Sequence, residues 1–163
     1  MKKAVLALTL SALLSTPALA NIHLSPEVKI GPYNGFGLQA GLTDTLGFDA
    51  VFVSYSRTEY KQFSYDEKLD TYRIGAQYMF GASMVHGLQI EFGLADYDGV
   101  KSWSGNNETK TSKGASIGAS YVFQVTPNIG LRAGGDFNAF RTADTFIPHG
   151  LSPNLNIGMT FTF

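Results

Sequence analysis

Residues 155–163 read LNIGMTFTF. Successive side chains of a strand point to opposite faces. Leu155, Ile157, Met159, Phe161 and Phe163 therefore share one face, and Asn156, Gly158, Thr160 and Thr162 the other. An unbroken row of large apolar side chains needs an apolar environment along the whole strand. The fold depends on how often the chain repeats this pattern and on what occupies the polar faces.

Working back from this segment, the same two-residue rhythm recurs. Ile129, Leu131, Ala133 and Phe137 alternate with Arg132, Asp136 and Asn138, and Ala115, Ile117, Ala119, Tyr121 and Phe123 with Ser116, Gly118 and Ser120. Leu88, Ile90, Phe92 and Leu94 oppose Gln89, Glu91 and Gly93, while Tyr72, Ile74, Ala76, Tyr78 and Phe80 oppose Thr71, Arg73, Gly75 and Gln77. Phe36, Leu38, Ala40 and Leu42 oppose Gly35, Gly37, Gln39 and Gly41. Ile22, Leu24, Val28 and Ile30 oppose His23, Ser25, Glu27 and Lys29. Residues 48–58 are strand-like with an ambiguous facing, because Phe48 and Phe52 compete with Val51, Val53 and Tyr55 for the apolar side.

The pattern predicts eight strands, over 21–30, 33–42, 48–58, 68–80, 88–98, 114–124, 129–141 and 152–163. Residues 43–47, 81–87 and 125–128 read as compact turns, with a further short connection at Gly31-Pro32. Residues 59–67, 99–113 and 142–151 read as longer, more polar loops.

The first 20 residues, MKKAVLALTLSALLSTPALA, have the form of a secretory signal peptide. Lys2 and Lys3 supply the positive start, Ala4 to Leu14 the apolar stretch and Ala18-Leu19-Ala20 the small-residue cleavage site. That apolar run is shorter than the roughly 20 residues of a spanning helix. Cleavage after Ala20 leaves residues 21–163 as one domain, with ten basic against thirteen acidic side chains. No polybasic patch points to nucleic acid. The chain has no cysteine, so an exported domain of this size is held together by something other than disulfides. Mean hydropathy is close to zero, yet the chain carries 18 glycines, 12 phenylalanines and 8 tyrosines. That mixture favours strands, and no later window is apolar enough for a membrane helix.

In a bilayer every backbone N–H and C=O needs an internal partner, so strands span only when closed into a barrel. Eight strands of about ten residues suit that closure. Wide, aromatic-rich faces belong outside against lipid, and faces of Gly, Ser, Thr and Asn inside a narrow lumen. Tyr72, Phe80, Tyr121, Phe123 and Phe163 lie near strand ends, where interfacial aromatic girdles sit. The expected fold is all-β, an eight-stranded antiparallel up-and-down transmembrane β-barrel, with both termini on the periplasmic side.

The closing pattern Asn156-x-Gly158-x-x-Phe161-x-Phe163 resembles the β-signal of Gram-negative outer-membrane proteins. Together with GASIGASYVFQVTPNIGLRAGGDFNAFR, it makes residues 21–163 similar to the small OmpX/Ail group of OmpA-like barrels. The resemblance implies an outer-membrane location, reading of Asn156, Gly158, Phe161 and Phe163 by the barrel-assembly machinery, and a monomer surrounded by lipid and lipopolysaccharide. It also implies a non-enzymatic role in surface interaction, adhesion to host molecules or envelope integrity.

Three acids and three bases face inward: Glu27, Lys29, Arg73, Glu91, Arg132 and Asp136. Buried charges persist when paired, so these six are expected to form an ion-pair network that plugs the lumen. The alternative is a narrow solute channel, although a selective pore favours an excess of one sign. In the expected outer loops Tyr60, Phe63, Tyr65, Trp103 and Lys110 are candidate contacts with host protein, polysaccharide or lipopolysaccharide phosphates. His23, His86 and His149 are too far apart in this topology to converge, so neither a metal nor another cofactor is expected. A lipid A-modifying enzyme is the remaining alternative. A palmitoyl-transferring enzyme needs an apolar lumen, and the spacing from His149 to Ser152 is wrong for an esterase-like pair.

Overall fold

The computed structural model describes residues 21–163 apart from Ala82 and Gly105, so the signal-peptide segment 1–20 lies outside the described residues. Eight strands follow in order: β1 Ile22–Ile30, β2 Asn34–Thr45, β3 Phe48–Gln62, β4 Tyr65–Phe80, β5 His86–Trp103, β6 Asn106–Thr126, β7 Ile129–Ala139 and β8 Leu151–Thr162. Each pairs antiparallel with its neighbour in sequence, and β8 pairs with β1 to close the barrel. No strand edge remains open around the stem. At the seam Ile22 and Phe163 exchange backbone hydrogen bonds of 3.1 and 3.0 Å. Among the described residues no helix is long and apolar enough to cross a membrane.

The alternation sorts the side chains as the sequence suggests, with the greasy faces outside. Val28, Phe36, Val53, Ile74, Ile90, Phe92, Ile117, Leu131, Ile157 and many others are exposed. A belt of this size on the outer wall is untenable in water. It matches the lipid-facing surface of a membrane barrel. Between the row Phe80–His86–Phe123 and the row Tyr72–Leu94–Ala115 lie eight residues of β4, about 26 Å along the strand. With the roughly 40° tilt of such barrels this projects to about 20 Å, near the apolar band of about 25 Å. At the end distant from the termini the belt stops at one row of outward charges, Arg57, Asp70, Asp96 and Lys113, paired across β3 to β6.

Two expectations need correction. Residues 59–67 and 99–113 are not loops. β3 and β4 continue to Gln62 and from Tyr65, and β5 and β6 to Trp103 and from Asn106. Above the belt their outward face no longer meets lipid and turns polar, so the two-residue rhythm fades although backbone pairing continues. The strand expected to reach 141 ends at Ala139, and residues 140–150 hold two short 3₁₀ turns, Thr142–Asp144 and Pro148–Gly150.

The ambiguous strand is also resolved. Val51, Val53 and Tyr55 face out, whereas Ala50, Phe52, Ser54, Ser56 and Thr58 face in. Phe52 fits inside because its neighbours leave room: a Cβ at Gly75 would collide with its ring, and one at Gly41 with its Cα and Cβ. The ring stacks on His23 with centroids 5.1 Å apart.

Candidate functional site

Inside the stem the six charges Glu27, Lys29, Arg73, Glu91, Arg132 and Asp136 meet in one closed ring of alternating sign. Lys29 Nζ lies 3.2 Å from Glu27 and also pairs with Asp136. Arg73 reaches Asp136 at 3.2 Å and Glu91 at 3.6 Å. Arg132 joins Glu91 at 3.7 Å and pairs with Glu27. Every one of these side chains is at most 4% exposed, so the pairs are shielded from solvent and salt.

Short polar side chains complete the ring. Gln39 and Ser54 donate to the Glu91 carboxylate at 2.5 and 2.6 Å. Arg73 donates to Ser116 at 2.7 Å and Thr71 at 3.2 Å, and Arg132 donates to Gln89 at 3.1 Å. A Cβ at Gly37 would collide with the Glu27 carboxylate, so this glycine makes room for the ring.

The lumen is not uniformly polar, which the sequence reading missed. At the end holding the termini a cavity of about 460 Å³ opens, lined by His23, Gln77, Met79 and Met84 among others. At the opposite end Tyr33, Leu69, Tyr97 and Ile147 form a buried apolar cluster, with Tyr60, Phe140 and Phe146 packed against it. The 140–150 segment thus folds over the mouth. Beneath it Glu67 is buried and accepts hydrogen bonds from the Tyr33 and Tyr97 hydroxyls at 2.5 and 2.7 Å. The Phe146 N–H donates to the Tyr97 hydroxyl at 3.1 Å, tying the segment to the barrel wall. Burial, and then the Glu67 carboxylate beside it, push the Tyr33 phenol above its ordinary pKa. The sequence signal was the parity of Leu69 and Tyr97, which fall on otherwise polar faces.

Above the belt β3, β4, β5 and β6 rise as a four-stranded sheet. β7 leaves β6 at the Ala115–Ala139 pair, so Asn106 to Lys113 have a strand neighbour on one side only. The five candidate contact residues separate here. Tyr60 packs on Tyr33 with centroids 5.7 Å apart. Tyr65 meets Phe146 edge-on at 5.7 Å, and Lys110 lies 4.9 Å over the same phenylalanine ring. Phe63 and Trp103 stand free at the hairpin tips, 100% and 69% exposed.

Of the four residues expected to form an assembly signal, Asn156, Gly158 and Phe161 lie along β8 and Phe163 follows its last residue. Asn156 faces inward and accepts a hydrogen bond from Ser120 at 3.0 Å. Gly158 passes so close to the Pro26 carbonyl that a Cβ would clash. Phe161 pairs with Leu24 across the closing seam and with Ile129 on β7, and Phe163 is exposed beside it. Of the histidines, His23 is buried in the lumen, His86 sits outside against Phe80, Tyr121 and Phe123, and His149 is exposed on a 3₁₀ turn. Among the described residues no group of three His, Cys, Asp or Glu side chains is placed to hold a metal.

A closed cylinder with apolar walls outside and a paired ionic ring inside defines a transmembrane β-barrel. Solved structures share this architecture. The Yersinia pestis outer membrane protein Ail in a phospholipid bilayer nanodisc matches with a TM-score of 0.64 at 15% identity, over 88% of this chain and 99% of that one. The N-terminal β-barrel domain of Pseudomonas aeruginosa OprF matches at 0.61 and 19% identity, over 88% and 98%. Neisserial surface protein A matches at 0.57 and 23% identity, over 88% and 95%. The chain thus has the fold of the small eight-stranded outer-membrane barrels, the group that its sequence resembles. No protein-family model matches the chain, and no curated protein matches it in sequence.

Proposed function

We propose that the protein is an outer-membrane barrel of a Gram-negative bacterium that acts at the cell surface by binding, without catalysing a reaction. The observation that carries this reading is the four-stranded sheet raised beyond the belt. β5 continues seven residues past Asp96, to Trp103, about 23 Å along the strand. Its outer strand β6 offers unpaired backbone groups from Asn106 to Lys113, a template on which an extended partner strand can add. Aromatic and charged side chains at the tips add a second mode of contact.

In this reading the termini lie in the periplasm and the sheet faces outward, with lipopolysaccharide around the distal part of the belt. The leader 1–20 is removed on export, and Asn156, Gly158, Phe161 and Phe163 present the assembly signal of a monomeric barrel. The balanced ionic ring and the cluster closing the distal mouth support an inert stem over a solute channel. The Yersinia pestis attachment invasion locus protein, which shares the fold, has been solved with a heparin analogue. That precedent supports a ligand-binding outer surface.

The test is attachment. A non-adherent Gram-negative host expressing the protein should attach to epithelial monolayers. A variant with residues 59–67 and 99–113 each cut to a tight turn should lose attachment while keeping the heat-modifiable gel mobility of a folded barrel. Equal attachment by both, or discrete conductance steps from the intact protein in planar bilayers, would overturn the reading.

A further inference from the structure

The raised sheet has two faces, and the one turned toward the barrel axis carries a distinctive set of side chains. Register places Tyr65, Lys101 and Glu108 in one cross-strand row and Trp103 and Asn106 in the next, nearer the tip. All five line one shallow groove of about 560 Å³. The Lys101 ammonium sits 5.2 Å over the Tyr65 ring. Among the described residues it makes no ion pair, since Glu108 turns to Lys110 at 3.9 Å. The indole of Trp103 is 69% exposed, so a large apolar plane is left in water at the far end of the groove.

Each group answers to one part of a sugar. An indole face packs against the C–H face of a pyranose ring, as aromatic surfaces with a polar rim do at carbohydrate-like ligands. A side-chain amide and a carboxylate, Asn106 and Glu108, serve hydroxyls as donor and acceptor. One ammonium held over a ring without an ion-pair partner then calls for a single anion. We propose that this groove binds glycans carrying a carboxylated sugar: carboxylate on Lys101, ring on Trp103, hydroxyls on Asn106 and Glu108. This deepens the surface-binding reading and rests on it. Sialic and uronic acids share the chemistry.

Trp103 is the only tryptophan in the chain, so its fluorescence reports on the groove alone. The full-length barrel, folded in detergent micelles, is titrated with 3′-sialyllactose, a galacturonate oligomer, lactose and a sulfated disaccharide. A saturable change is expected with one or both carboxylated probes, at a dissociation constant of about 1 mM, the scale of a shallow single site. The binding arm that responds identifies the sugar class. Lys101→Gln should weaken that response about tenfold, the loss of one charge-assisted contact, with gel mobility unchanged. Trp103→Phe should weaken binding of the same probe by calorimetry. No saturable response to either carboxylated probe, an equal response to lactose, a response to the sulfated probe alone, or an unchanged affinity in Lys101→Gln would each overturn the assignment. If attachment still depends on residues 59–67 and 99–113 while the probes fail, only the sugar assignment falls and the surface role stands.

Discussion

Replacing Arg73 with leucine removes one of the three cations in the ring. Asp136 would keep only Lys29, and Glu91 only Arg132, while Ser116 and Thr71 would lose their guanidinium donor. Breaking a buried ion pair from one side costs about 3–5 kcal/mol. Because each carboxylate retains one cation, the lower end applies, about 3 kcal/mol. At a urea slope of about 2 kcal/mol per molar, the unfolding midpoint should fall by about 1.5 M. The assay is urea unfolding of the barrel refolded in detergent micelles, read from the folded and unfolded bands on an unheated gel. Adding Glu91→Leu restores equal numbers of the two signs and leaves the alternating chain Asp136–Lys29–Glu27–Arg132. The double variant should therefore be more stable than the sum of the two single losses by about 1 kcal/mol or more. Strict additivity, or a midpoint for Arg73→Leu indistinguishable from the parent, would refute the ring as a coupled unit.

Along β8 the outward apolar positions run from Leu151 to Phe163, with Ile157 central, so Ile157→Arg should cost about 2–4 kcal/mol and Leu151→Arg about 0–1 in bilayer unfolding. Deleting Phe163 should slow assembly in cells, followed by pulse-chase of heat-modifiable protein, more than it slows refolding into detergent. Tyr97→Phe removes the hydroxyl that donates to Glu67 and accepts from Phe146, and should speed proteolytic cutting of residues 140–150 several-fold without lowering the midpoint of the stem. Tyr33 has a folded pKa raised above the unfolded value near 10.0, so its contribution is fully present below that pH and is lost as pH climbs through the folded value. The same cutting assay should accelerate at pH 11.5 relative to pH 9, less so in Tyr33→Phe.

The stem was legible because alternation is a local property of a strand with two different solvents on its two faces. LNIGMTFTF shows it within nine residues. Phe52 was not legible locally: its inward facing depends on the space left by Gly41 on β2 and Gly75 on β4. The raised sheet was misread because the outward side chains of Glu59 to Gln62 and Asn106 to Lys113 meet water instead of lipid, so no apolar period marks them as strands. Parity along the strands put the six charges on inward faces, but whether they close into one ring depends on register between strands far apart in sequence, such as Lys29 with Asp136. The cap was hidden for a different reason. Its parts come from the β1–β2 turn, β4, β5 and the 140–150 segment, and only tertiary docking brings Tyr33, Leu69, Tyr97 and Ile147 together.

Lipid contact of the apolar wall is most directly read by nuclear magnetic resonance of the barrel in nanodiscs doped with a nitroxide on the acyl chain. Signals from the methyl groups of Ile90, Ile117 and Ile157 should broaden strongly, while the Arg73 and Arg132 guanidinium signals stay sharp. Broadened arginines beside untouched isoleucines would mean that the wall has been assigned inside out.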